Sequence, residues 1–243
     1  MAGLAGAADG ALTAMQAGGL LALRPAAAPA TRRGRRLRWA EFATLFVVLP
    51  LVIAVFLPPR MMFPALFLFT LGGLGLLLLT GSFDWRFLRR GWRQLPWAEA
   101  GLIVLAVLIS GTAILWLGGR GQPFSLPRRA PDLMLLILLL YPLLSALPQE
   151  LIFRALFFHR YGAMMPSQRV AVAVNAAVFA HAHLMYWSPV VLVFTAVGGW
   201  LFARAYMSRG FPAAWFLHAV AGNAIFLVGM GAYFYTGAVQ RPF

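Results

Sequence analysis

Residues 42–59, "FATLFVVLPLVIAVFLPP", carry no charged side chain, and the same is true of residues 61–83 and 100–119. Runs of this length constrain the chain more than any motif. About 20 apolar residues in a helix cross the roughly 30 Å hydrocarbon of a bilayer, whereas a water-soluble domain has too little interior to hide several such runs. With 62% hydrophobic residues over 243 positions, the sequence reads as an all-α, polytopic membrane helix bundle. Seven segments meet the length requirement, near 42–59, 61–81, 98–118, 132–153, 169–187, 189–207 and 211–236. Residues 1–38 read as a mobile basic tail, and 39–243 as one transmembrane domain without internal repeats.

The basic residues are 20 arginines and no lysine, set against Asp9, Glu41, Asp84, Glu99, Asp132 and Glu150. A net charge of +14 in a soluble protein would point to nucleic acid. Here the arginines fall between apolar segments, where they orient helices against anionic headgroups, and nucleic-acid binding is not expected. With the amino terminus inside, fifteen arginines lie on the inner side, and Arg60, Arg120, Arg128, Arg129 and Arg241 on the outer. That asymmetry favours a cytoplasmic amino terminus. The absence of cysteine excludes disulfides, thiolate nucleophiles and thiolate metal sites.

An ionisable group inside the bilayer costs several kcal/mol unless it is paired or wetted, so intramembrane Glu, Arg and His are functional candidates. Three clusters qualify. In "PQELIFRALFFHRY", Glu150 and Arg154 lie four residues apart, about 40° round a helix, and can pair. Pro148 lacks an N–H, frees the carbonyl of Leu144 and loosens the helix there. In "NAAVFAHAHL", Asn175, Phe179 and His183 form a stripe at four-residue spacing, while His181 points about 200° away from His183 and reads as a packing residue. In "FLHAVAGNAIF", His218 and Asn223 sit on the last span. Singly, each cluster reads as an ion pair or interhelical glue. Together, an acid, imidazoles and amide donors in a low-dielectric interior resemble a hydrolytic site.

"QELIFR", "FAHAH" and "HAVAGN", in that order, resemble the CPBP family of CAAX-processing and bacteriocin-processing intramembrane endopeptidases, also called Abi. That family's pattern is E-E-x-x-x-R, then F-x-x-x-H, then H-x-x-x-N on successive later spans. The resemblance covers about residues 133–237 and departs in two places. The family's first Glu is Gln149, leaving Glu150 as the carboxylate. His218 plus four is Gly222, with Asn223 one further, about 140° away from His218 on a regular helix. "HAVAGN" is similar to a bacterial branch with Gly-Asn there, which implies a bacterial cytoplasmic membrane.

The resemblance implies hydrolysis of peptide bonds in membrane-associated protein or peptide substrates. It leaves a divalent metal open, since family members are described both as metal-dependent and as glutamic-type. A catalytic zinc takes three protein ligands and a water; Glu150, His183 and His218 would supply them, but no carboxylate would remain as base. The glutamic reading is preferred, and no cofactor is favoured. In it, Glu150 and His183 activate a water, Arg154 positions Glu150, and His218 and Asn223 donate to the oxyanion. Gln149 and Phe179 are the candidates on the substrate side. At 1.5 Å per residue, Glu150 stands roughly 18 Å and His183 roughly 25 Å above the inner loop, but His218 only about 10 Å. Convergence therefore requires tilt, helix extension or a recessed start to the last span.

Two other readings remain. Gln149 in place of Glu suits a catalytically inactive relative, acting in bacteriocin self-immunity or as a membrane scaffold. A small transporter would show a polar stripe reaching both membrane faces, which the first three spans do not offer.

Overall fold

In the computed structural model, which describes residues 27, 29–80, 83–118, 121–234 and 239, 87% of the described residues are helical and none lies in a strand. In chain order the helices are α1 (Arg32–Phe56), α2 (Pro59–Thr80), α3 (Trp97–Gly118), α4 (Ser125–Arg129) and α5 (Pro131–Met164). They are followed by α6 (Gln168–Ala182), α7 (Pro189–Arg209), α8 (Phe211–Val228) and α9 (Gly231–Phe234). Six of these, α1, α2, α3, α5, α7 and α8, are long and apolar enough to cross a bilayer, close to the expected seven. Their outward faces are oily: Leu79 is 82% exposed and Leu117 91%, while Glu150, Arg154 and Asn175 are wholly buried. That inversion is stable in lipid, and the chain is an integral membrane protein.

The remaining expected segment, 169–187, is the 15-residue α6 followed by a 3-10 turn, His183–Tyr186. The backbone N–H of His183 reaches back to Ala180, so the turn tightens. The Phe179 carbonyl left over is taken by the imidazole of His183 itself, 2.8 Å away. The helix thus ends on its own histidine.

Most of the expected tail, residues 1–26 and 28, lies outside the described residues, as do Arg120, Arg241 and the last two positions, 235 and 236, of the seventh expected segment. Arg32 to Arg38, read from the sequence as tail, instead form the first turns of α1. Thr31 caps that helix by accepting a hydrogen bond from Gly34 N at 3.0 Å, and the apolar span below carries the turns onward.

One polar cluster ties three helix ends together. Arg160 on α5 grips Glu41 of α1 with Nε on Oε1 at 2.6 Å and Nη2 on Oε2 at 2.8 Å. Its Nη1 donates to Thr80 at the end of α2 at 2.6 Å, and the Tyr161 hydroxyl donates to Glu41 at 2.5 Å. The start of α1 and the ends of α2 and α5 therefore share one side, as alternating spans require. The pair is partly shielded, with side chains 11% and 28% exposed. Glu41→Ala is expected to cost about 2 kcal/mol, between the values for exposed and fully buried pairs. Thermal unfolding of the detergent-solubilised protein measures it, and an unchanged midpoint would show that the pair contributes nothing.

Helix α5 spans 34 residues and is not uniform. Two stretches, Pro142–Ala146 and Leu151–Tyr161, are wound as π-helix, flanking the short α-helical piece Leu147–Glu150. Pro142 and Pro148 each remove an N–H from the i to i−4 ladder, and wider turns of this kind concentrate at functional sites. Gly210 turns the chain from α7 into α8 with φ 89°, a conformation glycine adopts without strain. Phe211, Ala213 and Ala214 are buried at once, so α8 starts inside the protein and not at its surface.

Candidate functional site

The wide turns of α5 lessen the mismatch in depth that a straight α-helix would impose, because more residues per turn shorten the climb from the end of α5 to Glu150. His218 Nδ1 and Glu150 Oε1 consequently meet at 2.8 Å, across 68 residues of sequence. Glu150 is completely buried, and its second oxygen lies 3.2 Å from Arg154 Nε on the same helix. The i, i+4 pair expected from the sequence is therefore formed.

Arg154 has no route to water. Its guanidinium carbon sits 4.7 Å from the centre of the Phe179 ring and 5.7 Å from that of Phe202. Faces of aromatic rings attract a cation, and they take the place of the hydrogen bonds that Nη1 and Nη2 lack within the protein. Phe179, expected on the substrate side, borders the site's cavity and is also the hub of this arrangement at 1% exposure. Its ring touches Arg154, the His183 imidazole at 4.7 Å, and the His218 imidazole edge-on at 5.6 Å. Phe202 covers the other side of His218 in a stacked contact at 4.8 Å.

The tautomers follow from the partners. A carbonyl only accepts, so His183 Nδ1 donates to Phe179 O. A carboxylate likewise accepts, so His218 Nδ1 donates to Glu150. In neutral form, each ring is left with a bare Nε2. Both rings line one cavity of about 1070 Å³ between α3, α5, α7 and α8. Gln149, Tyr141, Ser145 and Tyr186 line it too, amid a predominantly apolar wall. Glu150 and Arg154 do not reach this cavity; they lie behind His218 and Phe179.

Gln149 presents its side chain to the cavity, donating from Nε2 to Ser145 Oγ at 3.0 Å, with Oε1 unpartnered. Asn223 is not part of the cavity wall. Its Nδ2 donates to the Leu138 carbonyl at 3.3 Å, the group that an α-helix would pair with the N–H missing from Pro142. The expected role of Asn223 beside His218 is thus not met by its placement, because the extra residue after Gly222 turns it towards the backbone of α5. Trp215, also on α8, donates to the Pro142 carbonyl at 2.7 Å. One helix thereby fastens the proline-broken region of the other at two points and delivers His218 between them.

The other histidines stand apart. His181 bonds the Val47 carbonyl of α1 at 3.0 Å, as a packing residue would, and His159 packs against Phe83 further along α5. Asn175 donates to the Phe153 carbonyl and joins α6 to the π-wound part of α5. No three His, Asp or Glu side chains among the described residues are grouped to hold a metal ion. Glu150 and His218 are directed at one another, and Glu150 is sealed from the cavity that His183 lines, so this donor set does not fit a metal.

Four residues of the site escaped the sequence reading: Tyr141, Ser145, Tyr186 and Phe202. Tyr141, Ser145 and Gln149 are spaced by fours, a stripe on the same helix as Glu150 that was available in "YPLLSALPQ". Phe202 had no signal beyond its place in an apolar helix.

Residues 131–224 match the family model described as Type II CAAX prenyl endopeptidase Rce1-like. No curated protein and no solved structure matches the chain.

Proposed function

We propose that this chain belongs to the CPBP (Abi) family of intramembrane endopeptidases, an Rce1-like model of which residues 131–224 match, and that it cleaves peptide bonds in membrane-associated protein substrates through a carboxylate-backed imidazole. The observation that supports it is the Glu150–His218 contact of 2.8 Å at the wall of a cavity shared with His183. In this reading His218 Nε2 takes a proton from a water, and Glu150 on Nδ1 fixes the tautomer and stabilises the imidazolium. The water oxygen attacks the scissile carbonyl. His218 then returns the proton to the departing amine nitrogen as the C–N bond breaks. His183, with its own Nε2 free, orients the water. Arg154 holds Glu150 in place and touches no reacting atom. Glu150 thus acts behind His218, in place of the direct pairing with His183 that the sequence suggested.

The cytoplasmic face is assigned to the end carrying Glu41, Thr80 and Arg160, and the membrane to a bacterial inner membrane. The test uses purified protein in lipid nanodiscs with two peptides, one ending in a prenylated cysteine plus three residues and its unmodified counterpart, with products read by mass spectrometry. Glu150→Gln and His218→Ala are each expected to slow cleavage about 10²–10⁴-fold. Wild-type rates in both variants would sink the mechanism.

One observation favours a second reading, a non-catalytic family member. The cavity-facing position 149 carries an amide, while the carboxylate at 150 is sealed away. If wild-type protein cleaves neither peptide and Gln149→Glu cleaves one, this second reading holds.

A further inference from the structure

We infer that Tyr141 is the hydrogen-bond donor to the anion formed during hydrolysis, standing where a side chain four residues after His218 would project. The inference rests on the hydrolase reading and adds a residue to it. A Cβ placed on Gly222 would lie 2.1 Å from Tyr141 Cε1, 2.2 Å from Cζ and 2.3 Å from the hydroxyl oxygen. The phenol end of Tyr141 therefore fills the volume that a side chain at 222 would enter, on the face of α8 that bears His218. Position 222 is a glycine for that reason.

The surroundings support a donor role. Tyr141 lines the cavity, its ring meets the His218 imidazole at 6.1 Å and 71°, and Phe226 packs against it at 5.8 Å. Of the other hydroxyls on the cavity wall, Thr195 donates to Val191 O at 2.7 Å and Ser110 to Ala106 O at 2.6 Å, while the Tyr186 ring stacks on His183, 6.1 Å between centres, and it is the Tyr141 ring that meets His218. Ser145 accepts from Gln149 Nε2. A phenol O–H is a donor, and that of Tyr141 stands on the cavity wall beside His218. Asn223 does not compete from where it stands, since it is not part of the cavity wall and its Nδ2 is turned to Leu138 O. As the water oxygen bonds to the carbonyl carbon, the carbonyl electron pair moves onto oxygen and the phenol O–H bonds to it. The water proton goes to His218 Nε2. When the C–N bond breaks, the pair returns to re-form the carbonyl and the amine leaves with that proton.

Tyr141→Phe keeps the ring on Gly222 and removes only the hydroxyl. With the prenylated peptide in nanodiscs, it is expected to lower kcat about 10²–10³-fold with little change in KM. A phosphinate isostere of that peptide, which carries a tetrahedral anion, is expected to bind wild type more tightly than the uncleaved peptide does. Tyr141→Phe should erase that preference. Unchanged kcat in Tyr141→Phe, or a phosphinate preference lost in Asn223→Ala and kept in Tyr141→Phe, overturns the inference. If Glu150→Gln abolishes cleavage while Tyr141→Phe does not, only the donor assignment fails. If wild type neither cleaves nor prefers the phosphinate, the hydrolase reading falls and takes this inference with it.

Discussion

Arg154→Ala is expected to lower stability by about 3–5 kcal/mol, the usual cost of leaving one partner of a buried pair as an uncompensated charge. Glu150 is fully buried, and its remaining oxygen contact would be to His218 alone. The loss also empties the slot between Phe179 and Phe202 that the guanidinium fills. Thermal unfolding in detergent should show the drop, together with poor accumulation in membranes. The double variant Glu150→Gln/Arg154→Met removes both charges and keeps the volume, and buried pairs replaced in this way are often neutral for stability. It should therefore recover the wild-type midpoint while remaining unable to cleave. If Arg154→Ala unfolds at the wild-type temperature, the pair is wetted and the site is not the sealed one described above.

Gly222→Ala carries the second large effect. A single methyl would stand 2.1 Å from a ring carbon of Tyr141, and the ring is held between His218 and Phe226. Overpacking of this kind costs about 1–3 kcal/mol when neighbours yield only partly. The expected outcome is a destabilised protein in which the phenol is pushed off its seat, with cleavage reduced further than stability alone explains. Tyr141→Ala in the same chain should restore the unfolding midpoint, because the obstacle is gone, without restoring the rate. A Gly222→Ala protein with wild-type stability would mean that the ring has room to move.

The helices were readable because lipid imposes a length on them: the charge-free runs that begin at 42, 61 and 100 lie in the long helices Arg32–Phe56, Pro59–Thr80 and Trp97–Gly118. The likeness to the family was readable from three short motifs in order, and residues 131–224 match a model of that kind. The pairing of Glu150 with Arg154 follows from four-residue spacing, which survives a change in helix type. What the spacing could not give was the direction in which that pair faces. A count at 1.5 Å per residue assumes straight α-helices. The π turns of α5 break that assumption, so the meeting of Glu150 with His218 had to be seen. Tyr141 was passed over as one more aromatic in an apolar run. Asn223 looked like a donor for substrate because polar residues near a histidine invite that reading, while the carbonyl freed by Pro142 is invisible unless the two helices are known to touch.

The contact between α5 and α8 also sets an order of events during synthesis. Glu150 and Arg154 enter the bilayer together on one helix, each already the other's counter-charge. His218 comes 68 residues later, so the nascent protein lacks its acid–imidazole couple until the final long helix has left the ribosome and settled. Under the proposed mechanism, that couple has no means of acting on earlier segments of its own chain before α8 is in place.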